Sequence, residues 1–536
     1  MLLQAILTLA LTPANWPTTR AERSGFTETS TYEDVVQFLG ALQQCGSPMT
    51  LEWIGESVEG RSIPLAILSW PPVTTPLEAK RTGRPVVYVQ ANIHAGEVEG
   101  KEAAQTLLRR LSQEAVALAA ADGRSKPSNT LVDKFVFLVD PIYNLDGNEK
   151  FGPAERNRPG QDGPAQVGVR ANAQNFDLNR DCIKAESPEM RAALEAVYVR
   201  WDPDVVFDLH TTNGTRHGFE HTYAPPTNPN TDPGVLRYSR DALMPWVRRE
   251  YRKRYGQEIF DYGNAVGSGN ARRWETFGHE GRYVSNYVGL RNRIGILSEA
   301  VSFLPFRDRV VSTERFVDLC LSRLALDARR VLDLSREADR RMVEWSRSGP
   351  ELGLRFEMGR RASEDTVSLE RPPARPGKRP AAVDWLTMPV FDRWAATKRS
   401  RFPSAYLLPP AQTAAVDLLR RHGAVVRVLE EDWTGLCDRF DITKASQANQ
   451  AFQGHRLWTL EGEFRAERTS WPKGSFLVQT GQPLGVLIFH ILEPESTDGA
   501  ATWGFLGDFV TASVYPAQKV FGPIPVRSSV MEPRSH

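Results

Sequence analysis

One segment constrains the fold of this chain more than any other, the run Val86-Val-Tyr-Val-Gln-Ala-Asn-Ile93. Its apolar residues follow one another without the alternation of polar and apolar positions that a half-exposed strand shows. A strand of this kind is covered on both faces, as are the central strands of parallel sheets. We therefore expect a sheet built around this strand, with helices packed on both of its sides.

Strand-like and helix-like segments alternate on either side of this run. Further strands are predicted near 51–55, 63–69, 135–139, 205–209 and 294–297, and helical apolar spacing occurs at 31–42, 97–111, 187–200, 234–255 and 308–335. The first two of these strands flank the turn Glu59-Gly-Arg61 and form a predicted hairpin. This order predicts an α/β fold with a mixed, mostly parallel sheet and helices on both faces.

The chain is long enough to divide into domains, because 536 residues exceed what one ordinary core holds. We expect a catalytic domain over 23–345 and a Pro-rich connector over 346–382, which contains the basic stretch Arg371–Pro380. A smaller α+β or β-rich domain is expected over 383–536, with a helix at 411–421 and strands at 425–429, 475–478 and 486–492. No role can be derived for it from its residues.

The N-terminal segment and the net charge indicate where the protein is located and which partners it has. Met1 to Leu11 form an apolar stretch of signal-peptide length that is too short to span a bilayer. We expect residues 1–22 to be a signal peptide and the protein to be secreted or periplasmic, or cytoplasmic if the stretch is not a signal. The net charge of +1 gives no support for nucleic acid as a partner, and no integral membrane segment is predicted. The oligomeric state cannot be read from these features.

Polar residues with metal-binding chemistry stand directly after several of the predicted strands. His94-Ala-Gly-Glu97 follows the first run, His210 follows the strand near 205–209, and Glu299 follows the strand near 294–297. Ligands bind at the carboxyl ends of strands in open α/β sheets, so these side chains are expected to converge. Two histidines and a glutamate are the protein ligands of a catalytic zinc with an open fourth position, which leaves Glu299 free to act on water.

Between these segments lies a polar loop that contains Asn179 and Arg180 side by side. An amide and a forked guanidinium together suit a carboxylate, although a solvated turn with an ordinary salt bridge is the favoured explanation of the pair when it is taken alone. His217 and His221 lie in a loop-like segment rich in glycine and proline, so we do not expect them to bind zinc. His279 is expected on the surface. No G-x-S-x-G elbow, Walker A motif or dinucleotide fingerprint follows a strand.

In their order along the chain, these segments resemble the zinc metallocarboxypeptidases, peptidase family M14. The resemblance covers about residues 30–335 and rests on His94-x-x-Glu97, Asn144-Leu-Asp-Gly147, Asn179-Arg180, His210 and Glu299, together with the hairpin Ile54–Arg61. The segments His210-Thr-Thr-Asn-Gly214 and Ser298-Glu-Ala300 look most like a bacterial branch of the family.

The resemblance implies a carboxypeptidase-like fold and a site with one zinc ion. Its residues would be His94, Glu97 and His210 as zinc ligands, Glu299 as general base and acid, and Asn179 and Arg180 as the binding site for the terminal carboxylate of a peptide or peptide-like substrate.

The family also uses an arginine ahead of the Asn-Arg pair, which polarises the scissile carbonyl. Arg158 is our choice for this role, and Arg156 and Arg170 are the alternatives in the same loop. A mobile tyrosine is expected upstream of the catalytic glutamate, for which we take Tyr283, with Tyr287 as the alternative.

The leading hypothesis for the function is therefore a metallocarboxypeptidase that removes C-terminal residues from peptides. The same zinc site would serve an amidase or deacylase, or a cell-wall peptide amidohydrolase. These activities differ in whether Asn179 and Arg180 bind a free carboxylate. A peptide-binding protein whose catalytic centre has decayed is a third hypothesis, and retention of the ligands and of Glu299 argues against it.

Overall fold

The computed structural model describes residues 16–121, 130–372, 378–506 and 513–532. Residues 1–15 of the predicted signal peptide and residues 373–377 of the predicted connector lie outside these ranges. Within the described ranges, no helix combines the length and the apolar character needed to cross a membrane.

The strands of the described residues fall into two groups along the chain. The earlier ones are β1 Thr50–Glu56, β2 Ser62–Leu68, β3 Val86–Ala91, β4 Val136–Asp140, β5 Gly152–Pro153, β6 Gln166–Val167, β7 Val205–Thr211, β8 His221–Ala224, β9 Ile259–Asp261, β10 Asn264–Val266, β11 Arg273–Glu275 and β12 Ile294–Ala300. The later ones are β13 Glu351–Arg360, β14 Asp365–Glu370, β15 Val383–Met388, β16 Val390–Arg401, β17 Ala405–Leu408, β18 Arg427–Leu429, β19 Trp433–Gln447, β20 Trp458–Trp471, β21 Phe476–Gln479, β22 Gln518–Val520 and β23 Ser528–Val530.

The α-helices lie between and after these strands. They are α1 Arg20–Arg23, α2 Tyr32–Gln44, α3 Pro76–Thr82, α4 Glu99–Ala120, α5 Leu145–Glu149, α6 Ala154–Asn157, α7 Pro188–Ala193, α8 Pro233–Arg237, α9 Met244–Tyr255, α10 Val284–Leu290, α11 Phe306–Leu326, α12 Ala328–Ser348, α13 Thr413–Arg421, α14 Gly485–Leu492 and α15 Ala500–Trp503. Two π-helical stretches, Leu194–Val199 and Tyr238–Leu243, extend α7 and precede α9.

The central sheet has the strand order β1-β2-β4-β3-β7-β12-β8-β9. Its middle strands β4, β3, β7 and β12 run parallel, whereas β2 and β8 pair antiparallel on either side of them. Along β3, Val87 and Val89 belong to a core with α4 and α11, and Tyr88 belongs to a second core with α10. The predicted α/β fold, with a mixed sheet and helices on both faces, is confirmed.

The C-terminal region forms a β-rich sheet of its own, with the strand order β20-β19-β22-β17-β21-β18-β23. It does not stand apart from the catalytic region, because one hydrophobic cluster contains Tyr88 and Tyr287 together with Tyr406 and Leu487. Burial of these side chains in a common core stabilises the contact between the two regions.

The segment predicted as a connector, 346–382, is largely built into this arrangement. Its described residues include the strands β13 and β14, and β13 pairs along its length with β16. This sheet continues to β11 and β10 of the catalytic region. The structure therefore differs here from an extended linker, because the apolar side chains of Leu352 and Leu354 are buried.

One predicted strand of the C-terminal region is wrong. Residues 486–492 lie in the helix α14, Gly485–Leu492, and every residue of that helix is buried. A helix without a polar face shows no period in its sequence, so a short apolar run does not distinguish it from a buried strand. The predicted helix at 411–421 and strand at 475–478 correspond to α13 and β21.

Candidate active site

The loop after β3 carries the first pair of predicted metal ligands. β3 ends at Ala91, and Asn92 adopts a left-handed conformation with a φ of +64°. Asparagine tolerates this conformation better than other residues with a side chain, except aspartate. Its Nδ2 donates to the carbonyl oxygens of Ala95 (3.3 Å) and Glu97 (3.2 Å). Asn92 thus turns the chain out of the sheet and fixes the loop that presents His94 and Glu97.

The neighbouring strands supply the other predicted groups. His210 lies on β7 and Glu299 on β12, and the two are direct partners in the register of this parallel pair. Helix α4 packs closely on β7 because Gly100 has no side chain, and a Cβ there would lie 2.8 Å from the Cβ of Leu209. Because β3, β7 and β12 are parallel neighbours, their carboxyl ends meet at one edge of the sheet.

The side chains of His94, Glu97 and His210 form a compact group at this edge. Their ligand atoms all lie within 4.8 Å of one another. The Nδ1 atoms of the two histidines face each other at 3.2 Å, and they lie 3.1 Å and 3.0 Å from the carboxylate oxygens of Glu97. Two imidazole nitrogens and a carboxylate that point at one spot suit a zinc ion.

The second nitrogen of each histidine contacts a carboxylate that the sequence analysis missed. His94 Nε2 lies 2.9 Å from Asp177 Oδ1, and His210 Nε2 lies 2.8 Å from Asp208 Oδ2 and 3.2 Å from the amide nitrogen of Asn179. Carboxylates in this position orient a metal-binding imidazole and fix its tautomer. Asp208 could have been found, because residues two apart on a strand share a face. Asp177, two residues before Asn179, carries no comparable signal.

Charged groups of both signs surround these side chains. The carboxyl groups of Glu97, Asp177, Asp208 and Glu299 meet here, beside the guanidinium groups of Arg158, Arg170 and Arg180. Uncompensated charge in a buried site is costly, and these guanidinium groups offset the negative charge of the carboxylates.

The structure separates the arginines among which the sequence left a choice. The side chain of Arg158 is only 14% exposed; its Nη1 lies 3.3 Å from Glu97 Oε1, and its Nη2 donates to the carbonyl oxygens of Thr211 and Thr212. The side chain of Arg170 is 41% exposed, pairs with Asp177 at 2.8 Å and lines the cavity. Arg158 therefore packs behind Glu97, while Arg170 faces the space beside the metal group.

A cavity of about 130 Å³ adjoins the metal group and contains the predicted substrate-binding residues Asn179, Arg180 and Tyr283. The guanidinium of Arg180 lies 4.4 Å from the centre of the Tyr283 ring. Asn179 Oδ1 accepts a hydrogen bond from the backbone N–H of Val284 (2.9 Å), which joins the two loops that carry these side chains. Tyr287, the alternative tyrosine, is fully buried away from the cavity, 2.8 Å from His422 Nδ1.

Burial and neighbouring charges shift the pKa values of the acidic groups in opposite directions. Burial raises the pKa of Glu299 to about 8, against the lowering effect of His210. Burial also acts on Glu97, but Arg158 and His94 outweigh it and hold the pKa of that carboxyl well below its usual range. In the same way, His94 and Arg170 lower the pKa of Asp177 despite its burial. One carboxylate thus exchanges protons near neutral pH while its neighbours stay charged.

The remaining histidines of this region lie outside the metal group. Burial lowers the pKa values of His217 and His221 to about 3, so both stay neutral near pH 7. His279, predicted on the surface, is buried, with its ring centre 4.6 Å from those of Phe356 and Trp394. That prediction is wrong because β13 and β16, distant in sequence, cover the loop.

The chain is similar to known proteins over part or most of its length. Residues 35–280 match the family model Peptidase_M14, described as zinc carboxypeptidase. The chain is 25% identical over 528 residues to carboxypeptidase 2 of Trichophyton tonsurans, a match that covers 93% of this chain and 87% of the relative. It is also 25% identical over 524 residues to carboxypeptidase 2 of Trichophyton equinum, covering 92% of this chain and 86% of the relative.

Solved structures give a weaker likeness. A metallo-carboxypeptidase from Burkholderia cenocepacia aligns with a TM-score of 0.39 and 18% identity, over 56% of this chain and 70% of that chain. The two curated relatives are fungal and do not support the predicted similarity to a bacterial branch. Their similarity covers the C-terminal region as well, whereas the family model ends at residue 280.

Proposed function

We propose that this chain is a zinc-dependent metallocarboxypeptidase, on the premise that residues 35–280 belong to the zinc carboxypeptidase family, peptidase family M14. It is an enzyme that hydrolyses peptide bonds, and its substrates are peptides. The observation that carries the assignment of its site is the convergence of His94, Glu97 and His210 within 4.8 Å, with Glu299 in the same cavity.

The site residues divide the chemistry between them. Zinc, when held by His94, Glu97 and His210, would polarise the scissile carbonyl and make water more acidic. Glu299 takes the proton of the attacking water and returns it to the leaving amine. Burial raises the pKa of Glu299 above its usual range, towards the range in which one group can both accept and release a proton near neutral pH. Asp177 holds the imidazole of His94 in orientation, and Asp208 and Asn179 contact that of His210.

The positive groups of the site take up the negative charges of the substrate and of the transition state. Arg170 lines the cavity beside the metal group and is the arginine that we assign to the developing oxyanion, in place of Arg158. Arg158 instead fixes the backbone after His210 through its hydrogen bonds to Thr211 and Thr212. Asn179 and Arg180 bind the terminal carboxylate, and Tyr283 covers Arg180.

Metal analysis combined with matched peptides tests this proposal. We expect one zinc ion per chain, loss of activity with a chelator and its return with zinc. Peptides with a free C-terminus should lose their last residue, and the same peptides with an amidated C-terminus should remain intact. Equal hydrolysis of both forms would favour the amidase alternative, and a protein that binds no zinc would support the decayed-site alternative.

Arg180→Ala tests the substrate end of the site separately. A hydrogen bond to a charged group contributes about 1.5–3 kcal/mol, so KM for free peptides should rise about 10–100-fold while zinc content stays unchanged. Arg200→Ala is the matched control, because Arg200 pairs with Glu52 on the surface, 2.6 Å away. If Arg180→Ala and Arg200→Ala gave the same KM, the carboxylate site would lie elsewhere.

A further inference from the structure

The C-terminal region reaches the catalytic loops at the tip of the hairpin β19-β20. There the side chain of Gln453 reaches the catalytic loop that contains Asp177. Its Oε1 accepts a hydrogen bond from the backbone N–H of Asp177 at 2.7 Å. Gln453 holds this position with a φ of +50°, a left-handed conformation that costs energy for a residue with a side chain. Gly454 follows, and a Cβ there would lie 3.3 Å from the ring of Phe176.

A second contact holds the loop that carries Tyr283. Asp498, in the loop between α14 and α15, accepts the backbone N–H of Arg282 at 2.6 Å, and its other oxygen pairs with the Arg282 guanidinium at 3.0 Å. The same guanidinium lies 5.3 Å from the ring of Phe452 and 5.0 Å from the ring of Trp503. Trp503 Nε1 donates a hydrogen bond to Asp498 at 2.7 Å, so Asp498 is held by Trp503 as well as by Arg282.

These two contacts end one or two residues away from the groups that face the substrate. Asp177 contacts His94 and stands two residues before Asn179, and Arg282 immediately precedes Tyr283. The cavity itself is lined by residues between His94 and Glu299. Gln453 and Asp498 therefore act on the site only through the loops that they hold.

We propose that the C-terminal region completes the carboxylate-binding end of the active site, with Gln453 and Asp498 as positioning residues. This inference rests on the proposed carboxypeptidase function. Loops on a protein surface lose conformational freedom when they are ordered, and a displacement of about 1 Å in a positioning group can cost about 100-fold in rate. The hairpin tip and the Asp498 loop supply this order from outside the catalytic region.

Gln453→Ala is the first test, because the tip is solvent-accessible and the side chain lies outside both cores. We expect kcat/KM for free peptides to fall about tenfold, chiefly through KM, since Arg180 loses its fixed position. Zinc should also leave faster under a chelator, because Asp177 orients His94 less firmly. The midpoint of thermal unfolding should stay within about 2 °C of the wild-type value. A general loss of stability would lower that midpoint.

Two further variants make this test specific. Gln453→Glu keeps an oxygen that accepts the Asp177 N–H, so its KM should return towards the wild-type value. Gln447→Ala removes a glutamine of the same hairpin whose Nε2 bonds to the carbonyl of Arg456 within the hairpin, and it should leave both KM and zinc release unchanged. An active wild-type enzyme with Gln453→Ala indistinguishable from Gln447→Ala would overturn the inference.

Asp498→Asn tests the second contact. The amide oxygen still accepts the Arg282 N–H, but the ion pair is lost, so a rise in KM with unchanged zinc release is expected. Equal KM values for wild type and Asp498→Asn would remove Asp498 from the proposal. Failure of the proposed function itself is distinguishable, because the wild-type chain would then show no zinc-dependent release of C-terminal residues.

Discussion

Both regions of this molecule bury charged side chains, but they neutralise them differently. In the C-terminal region, the ammonium of Lys519 lies 2.7 Å from Glu493, and the hydroxyl of Tyr406 donates to the same carboxylate at 2.6 Å. In the catalytic region, the carboxylates at the strand ends face imidazoles, two arginines and an open cavity. Removing one partner of a closed buried ion pair destabilises a fold, whereas ionisable groups gathered beside a cavity indicate a functional site.

The arrangement of the strands explains this difference. The parallel strands β3, β7 and β12 bring their carboxyl ends to one edge, so polar residues after each strand accumulate there. The C-terminal sheet is antiparallel through β17, β21 and β22, so successive strand ends alternate between two edges. Its buried charges are therefore neutralised locally, in pairs.

The largest expected effect comes from a substitution in the catalytic site. Glu299→Gln keeps the size of the side chain but cannot take a proton, so kcat should fall about 10²–10⁴-fold while zinc is retained. Steady-state kinetics and metal analysis of the same preparation measure both. Glu463→Gln, on the exposed side of β20, is the matched control. Near wild-type turnover in Glu299→Gln would show that this residue is not the general base.

A substitution in the buried ion pair of Lys519 and Glu493 should change the stability of the protein and not its turnover. Lys519→Met leaves Glu493 buried without its partner, which is expected to cost about 3–5 kcal/mol in the free energy of unfolding. Urea unfolding measures this loss, and kcat per folded molecule should be unchanged. Lys444→Met, which removes an exposed ion pair with Glu461 (3.0 Å), should cost at most about 1 kcal/mol. Equal losses in both variants would contradict the contrast between the regions.

The smallest effect concerns the contact between the two regions in acid. Burial lowers the pKa of His422 to about 3, and its ring nitrogens contact Tyr287 Oη at 2.8 Å and the carbonyl of Ile183 at 2.9 Å. In the unfolded chain the imidazole binds a proton near pH 6.5. Stability is therefore complete above about pH 6.5 and is lost as the pH falls towards 3, by about 2 kcal/mol at pH 5.

Unfolding curves at pH 7 and pH 5 measure this loss. His422→Gln should be less stable than wild type at pH 7 but should lose less on acidification, because it has no imidazole to protonate. An equal loss in wild type and variant would assign the acid sensitivity to other groups.

Much of the catalytic region could be predicted from the sequence because its signals are local. A continuous apolar run predicts a buried strand, and His94, Glu97, His210 and Glu299 each stand at a strand end. The structure brings these four side chains together as the topology of parallel strands requires. The choice between Arg158 and Arg170 could not be made in this way, since it depends on which of two loop residues faces the cavity.

The sequence by itself determined the sheet, the helices on its faces and the convergence of the proposed metal ligands, because these follow from periodicity and from the direction of parallel strands. Only the tertiary structure decided that Asp177 contacts His94, that Leu487 lies in a buried helix and that Gln453 and Asp498 reach the catalytic loops. Contacts between residues far apart in sequence depend on how whole elements pack, and a local pattern carries no record of them.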